Sequence, residues 1–200
     1  GGRVRPSGFD CPPDALVIGS VGWLTEVKGH RFLIEAFARL KPVHPSLHLV
    51  IVGSGGLRDA YLTLAGRLGV EGSVHLLGDR QDVPDCLAGM DLFVLPSLNE
   101  GMGRALIEAM AAELPVVASQ VGGVPAIVED RRTGLLVPAG DAGALASALE
   151  ELVRKPAWAA ELGAAASRSI GERFGSDAMV RAIESVYDKA LAETGRRGMP

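Results

Sequence analysis

The sequence has little of what several protein classes are built from. Only two of its 200 residues are cysteines, Cys11 and Cys86. That excludes a disulfide scaffold and a cysteine-rich zinc site. Aromatic residues make up 4% and the net charge is −4. A nucleic-acid platform needs stacking rings and a basic face, so no nucleic-acid partner is expected. No apolar run approaches the ~20 residues that cross a bilayer. The opening residues, Gly1 to Gly8, lack the apolar core of a signal peptide, and the expected location is the cytoplasm. Hydrophobic residues reach 48% and charged residues 22%, an ordinary globular balance rather than a disordered one. The small negative charge says nothing against anionic ligands, because the field inside a pocket can oppose the global sign.

What is there is an alternation. Residues 1–13 hold three prolines and no period, and read as a tail or linker. Short apolar runs then follow at Leu16–Gly22, Leu47–Val52, Val74–Leu77, Leu92–Leu95, Pro115–Ala118 and Gly134–Pro138. Helical stripes separate them: Leu33, Phe37 and Leu40; Leu57, Tyr61, Leu64 and Leu68; a short helix near Pro84–Gly89; and Ala105–Ala112. Strands that alternate with helices build a parallel sheet, and strands buried on both faces read as continuous apolar runs. Right-handed crossovers then place helices on both sides. The expected fold class is α/β, a doubly wound, Rossmann-like parallel sheet over residues 14–194. From Asp141 the pattern is helical, with stripes at 145–153, 157–171 and 179–191 and a tail at 195–200. Ligands of such folds sit beyond the carboxyl ends of the strands. The loops to search are therefore 22–30, 53–57, 78–84, 96–104 and 119–125.

The densest of these is Pro96-Ser97-Leu98-Asn99-Glu100-Gly101-Met102-Gly103-Arg104-Ala105-Leu106-Ile107-Glu108. It leaves the fourth strand and opens a helix. Gly101 and Gly103 carry no side chain where a ligand would approach the backbone. The N–H groups from Met102 to Ala105 are the unpaired donors of a helix N-terminus, a ready site for a diphosphate. Glu108, one turn in, can accept the two hydroxyls of a ribose. Glu100 can accept from another hydroxylated group. Spacing alone leaves a plainer alternative open, a glycine turn followed by a solvated helix face.

The surroundings carry a resemblance. Glu100 and Glu108 have the E-x7-E spacing of retaining GT-B glycosyltransferases, most closely family 4. Gly22-Trp23-Leu24-Thr25-Glu26-Val27-Lys28-Gly29 resembles that family's G-R-L-x-x-x-K-G loop. Val52–Gly55, Leu77–Val83, Ala118–Pro125 and Thr133–Pro138 resemble further family loops in the expected order. The similarity covers about residues 15–190 and implies the C-terminal, donor-binding domain of a two-domain enzyme.

The resemblance implies roles. Lys28 would neutralise the donor diphosphate. The backbone at Arg104 and Ala105 would bind phosphate oxygens, and Glu108 the ribose. Glu100 and the N–H groups near Gly101, Met102 and Gly103 would hold the transferred sugar. The loop at Arg80 would meet the nucleobase through its main chain. The partners implied are a nucleoside-diphosphate sugar and an acceptor-binding N-terminal domain absent from this chain. Membrane association would come only through that domain. No cofactor and no metal are expected: there is no D-x-D, and His30, His44, His48 and His75 are scattered. His30 is expected to be solvated, and both cysteines inert thiols.

Two residues depart from the family pattern. Trp23 stands where the family places an arginine that shares the diphosphate; either Trp23 packs on the ligand or the strand, or donor affinity is weaker. Glu113 stands where the family has a glycine just past a helix end, so a left-handed glutamate is expected there. Other functions fit less well. Gly53-x-Gly55 follows a strand, but Arg58 occupies the third glycine position of a dinucleotide fingerprint. Nothing in the doubly wound pattern places Glu100 and Glu108 across a bond as a hydrolase requires. A non-catalytic nucleotide-sugar-binding module and a GT-B-fold nucleotide-sugar epimerase remain as alternatives.

Overall fold

The computed structural model describes residues 5–174. The apolar runs form six strands: β1 (Leu16–Val21), β2 (Leu47–Val52), β3 (Val74–Gly78), β4 (Leu92–Leu95), β5 (Val116–Ser119) and β6 (Leu135–Val137). All pair in parallel, in the order β3-β2-β1-β4-β5-β6. Every residue of β2, β4 and β5 is buried, which explains why these runs show no polar alternation. The helices are α1 (His30–Leu40), α2 (Arg58–Arg67), α3 (Val83–Ala88), α4 (Arg104–Ala111), α5 (Ala142–Arg154) and α6 (Pro156–Phe174). The helix expected over 179–191 and the tail at 195–200 lie outside the described residues.

Two cores flank the sheet. On one face α1, α2 and α5 bury Leu33, Phe37, Tyr61, Leu145 and Leu149. On the other, α3 and α4 bury Leu87, Leu106 and Met110, and α6 adds Ala166 and Ile170. Chain order reverses between β1 and β4, whose strands are neighbours although two other strands separate them in sequence. That switch point leaves a crevice at the carboxyl ends, between the loops that follow β1 and β4.

The described part of the expected tail does not hang free. Phe9 is buried in the second core, its ring 3.2 Å from where a Cβ on Gly89 would stand. The Arg5 guanidinium donates to the carbonyls of Pro12 and Ala15 and lies 3.8 Å from the Asp91 carboxylate. An apolar ring in a proline-rich stretch is enough to fasten it to the sheet.

The helix end at Glu113 is built as expected. Leu114 N–H donates to Ala109 O at 3.1 Å and Glu113 N–H to Met110 O at 3.1 Å, the paired bonds of a Schellman end. Leu114 is buried and Glu113 sits at φ 60°, left-handed. For a residue with a Cβ that conformation costs roughly 1–2 kcal/mol. Glycine removes this but loosens the unfolded chain by about 0.4–1 kcal/mol. Glu113→Gly should therefore gain about 0.5–1 kcal/mol and raise the urea midpoint; an unchanged or lower midpoint would contradict the account.

Candidate functional site

The crevice holds a cleft of about 430 Å³. Gly22, Trp23 and Lys28 line it from the loop after β1, and Asp79 and Arg80 from the loop after β3. Glu100, Gly103, Arg104, Ala105 and Glu108 line it from the β4–α4 connection. Of the donor-binding residues that the resemblance implies, Gly101 and Met102 are not on its wall. They sit at the exposed tip of the same loop, with Met102 66% exposed.

Local geometry explains the loop. Gly103 is the residue before α4 and adopts φ 64°, a left-handed turn open to glycine. No side chain caps α4, so the N–H groups of Arg104 and Ala105 head the helix toward the cleft. A Cβ on Gly101 would meet nothing within 4 Å. Internal packing therefore does not demand glycine there, whereas a ligand or partner approaching the backbone would.

The charged groups are organised as a pair. Lys28 Nζ donates to Glu100 Oε2 at 2.7 Å, and Ser97 Oγ donates to the same oxygen at 3.1 Å. Both side chains are largely withdrawn from solvent, at 26% and 12% exposure. Leu98 N–H donates to Val27 O at 2.8 Å, which fixes the two loops against each other. An incoming anion would compete with Glu100 for Lys28 and free a carboxylate to accept hydroxyl groups. Glu108 is exposed, and its carboxylate lies 3.5 Å from Arg104 Nε. Such a surface pair is worth only about 0.3–0.5 kcal/mol and gives way readily to a ligand.

Arg80 lines the cleft, but its guanidinium is engaged. It donates to Asp82 through two nitrogens and to Ser7 O at 2.8 Å. The Arg80 side chain is therefore held within the fold, and Asp79 of the same loop also lines the cleft. Trp23 is 62% exposed at the cleft mouth. It does not pack into the sheet, so of the expected placements the one on the strand is excluded.

Comparison with known proteins turns this geometry into a family. The family model described as Glycosyl transferases group 1 matches residues 13–155. The chain belongs to that family. A lipopolysaccharide core biosynthesis glycosyltransferase, LpsE of Rhizobium meliloti, is 39% identical over 145 residues, 72% of this chain and 42% of LpsE. The crystal structure of Anabaena HepE with UDP and glucose matches at TM-score 0.80 and 28% identity, covering 88% of this chain and 49% of that one. The crystallised C-terminal domain of a group 1 glycosyltransferase from Francisella tularensis, LpcC, shares the fold at TM-score 0.74 and 22% identity, covering 80% of this chain and 87% of that one. The chain thus spans less than half the length of LpsE and HepE and most of the LpcC domain.

Within this group 1 glycosyltransferase domain the histidines differ from expectation. His30 is not solvated but 1% exposed, with its ring edge-on to Tyr61 at 6.1 Å and its Nδ1 without a hydrogen-bond partner among the described residues. Helix α1 starts at His30 directly after Lys28-Gly29, which turns the ring inward. Burial, and then the Lys28 charge, push its pKa down to about 4. The folded state refuses a proton that the unfolded chain accepts near pH 6.5. This contribution is intact above pH 6.5 and lost as the pH falls toward 4, at up to ~1.4 kcal/mol per unit. His30→Phe should flatten the stability profile in that window; an unaltered slope would show that His30 is not the group.

Nor are all the other histidines scattered in space. His48 and His75 meet on β2 and β3, beside Cys11. Each histidine is the second residue of its strand. Strand order was needed to read their meeting. Among the described residues no helix is long and apolar enough to cross a membrane.

Proposed function

We propose that this chain is the donor-binding, C-terminal half of a retaining GT-B glycosyltransferase that holds a nucleoside-diphosphate sugar across the β1/β4 crevice. One observation carries the reading: Lys28, Glu100, the α4 N-terminus and Glu108 line a single cleft at the switch point of the sheet. The match to most of the crystallised LpcC C-terminal domain supports the choice of half. The UDP in HepE makes UDP the first nucleotide to try.

In this reading the diphosphate lies on the N–H groups of Arg104 and Ala105 and draws Lys28 from Glu100. As the sugar–phosphate bond breaks, the departing diphosphate gains charge. Lys28 and the helix N-terminus are already in place to stabilise it. The reading assigns that charge to these groups and calls on no metal. Glu108 accepts the ribose hydroxyls. Glu100, released from Lys28 and still bonded to Ser97, accepts hydroxyls of the sugar, whose position then favours retention at the anomeric carbon. The acceptor and the opposite wall belong to an N-terminal domain, which alone would provide any membrane contact. The enzyme would work in the cytoplasm, and this half alone would bind nucleotide weakly and transfer nothing.

Calorimetric titration of the chain with UDP, GDP and ADP tests the reading. One nucleotide should bind with clear preference. Failure of all three to bind, or sugar transfer by the chain alone, would contradict it.

A further inference from the structure

At the end of the sheet away from the cleft, three side chains from three segments converge. His48 and His75 are each the second residue of neighbouring parallel strands. His48 Nδ1 and His75 Nε2 are 3.0 Å apart, with the ring planes within 15° of each other. Cys11 arrives from the segment that precedes β1, and its Sγ lies with the two ring nitrogens inside a 4.8 Å span. His48 is buried, and His75 and Cys11 are half-buried. Tetrahedral zinc holds nitrogen at ~2.0–2.1 Å and thiolate sulfur at ~2.3 Å, so its ligand atoms stand roughly 3.3–3.7 Å apart. The cluster reaches that geometry if the imidazoles part by a few tenths of an ångström and Cys11 closes by roughly one.

We infer that Cys11, His48 and His75 form a binding site for a borderline-soft d10 cation, Zn²⁺, which fastens the segment before β1 to the β2–β3 edge. Two ligands stand on rigid strands and the third on a short loop that can adjust. The fourth position is left to water. Arg5 and Lys41 are the nearby cations. They are held by carbonyl oxygens: Lys41 Nζ donates to Pro45 O at 2.6 Å and Leu47 O at 2.8 Å, and Arg5 to Pro12 O and Ala15 O.

The proton balance is simple. One imidazole now donates its N–H to the other. On binding, that ring shifts its proton to its second nitrogen, so that both facing nitrogens offer lone pairs. The Cys11 thiol gives its proton to solvent. One proton is released per metal bound, and nothing is oxidised or reduced. The consequence reaches the cleft, because the same segment carries the Ser7 carbonyl that accepts from Arg80 at 2.8 Å. The inference does not depend on the identity of the donor.

The 200-residue chain, stripped with a chelator and dialysed, is titrated with Zn²⁺ and separately with Co²⁺. One equivalent of zinc should bind and raise the unfolding midpoint. The cobalt form should show a thiolate-to-cobalt charge-transfer band. Loss of a group that merely orients a ligand costs ~10–100-fold in affinity, so Cys11→Ser and His75→Gln should each lose at least ~10-fold. The cobalt band needs only the unaltered chain and decides the matter even if a variant folds poorly. Absence of stoichiometric uptake, a cobalt spectrum without thiolate character, or undiminished affinity in folded variants would overturn the inference.

Discussion

Gly163→Ala should destabilise this domain by about 1–3 kcal/mol, against the sign that helix propensity gives. Inside a helix, alanine in place of glycine ordinarily gains up to ~1 kcal/mol. Here α6 crosses the end of α4 so closely that a Cβ on Gly163 would stand 2.2 Å from Glu113 O and 3.2 Å from Pro115 N. These are backbone atoms with no rotamer to change. The Glu113 carbonyl belongs to the left-handed residue that closes α4, and Leu114 beside it is anchored in the core. Relief therefore requires α6 to move off α4 and uncover Ala166 and Ile170. Urea denaturation of the chain should show a lower midpoint with an unchanged slope. A higher midpoint would mean that α6 does not lie against Glu113.

The second large effect is on ligand binding. Lys28→Ala should weaken UDP binding about 10–100-fold, the equivalent of a charge-assisted phosphate contact of ~1.5–3 kcal/mol. Among the described residues, the substitution also leaves Glu100, at 12% exposure, with Ser97 Oγ as its one remaining side-chain hydrogen-bond donor. A carboxylate without its cation then faces the incoming diphosphate and adds repulsion. Lys28→Ala, Glu100→Gln separates these terms. If repulsion contributes, the double variant should recover part of the loss relative to Lys28→Ala. Equal UDP affinity in the wild type and in Lys28→Ala would remove Lys28 from the site.

Much of this was legible in the sequence, for physical reasons that also mark where legibility stops. β2 and β4 were bounded to the residue, because a strand buried on both faces leaves an unbroken apolar run. The helix after β2 was found by its stripe, yet only Tyr61 of the four stripe residues is buried and Leu68 is 40% exposed. A helix at the margin of a sheet has less core to face than its pattern suggests. Phe9 was missed, since one ring among prolines shows no period. The glycine-rich loop and Glu108 announced themselves through spacing, which a helix N-terminus converts directly into geometry. The Lys28–Glu100 pair did not: it spans 72 residues, and only the β1/β4 adjacency brings its halves together. The meeting of His48 with His75 and Cys11 was hidden for the same reason. Sequence distance carries no information about which strands become neighbours.

The most direct measurement is a crystal structure of the chain with bound UDP. The β-phosphate should accept from the N–H groups of Arg104 and Ala105, Lys28 should have left Glu100 to reach the diphosphate, and both ribose hydroxyls should lie on Glu108. Nucleotide density away from the α4 N-terminus, or a ribose out of reach of Glu108, would contradict the account.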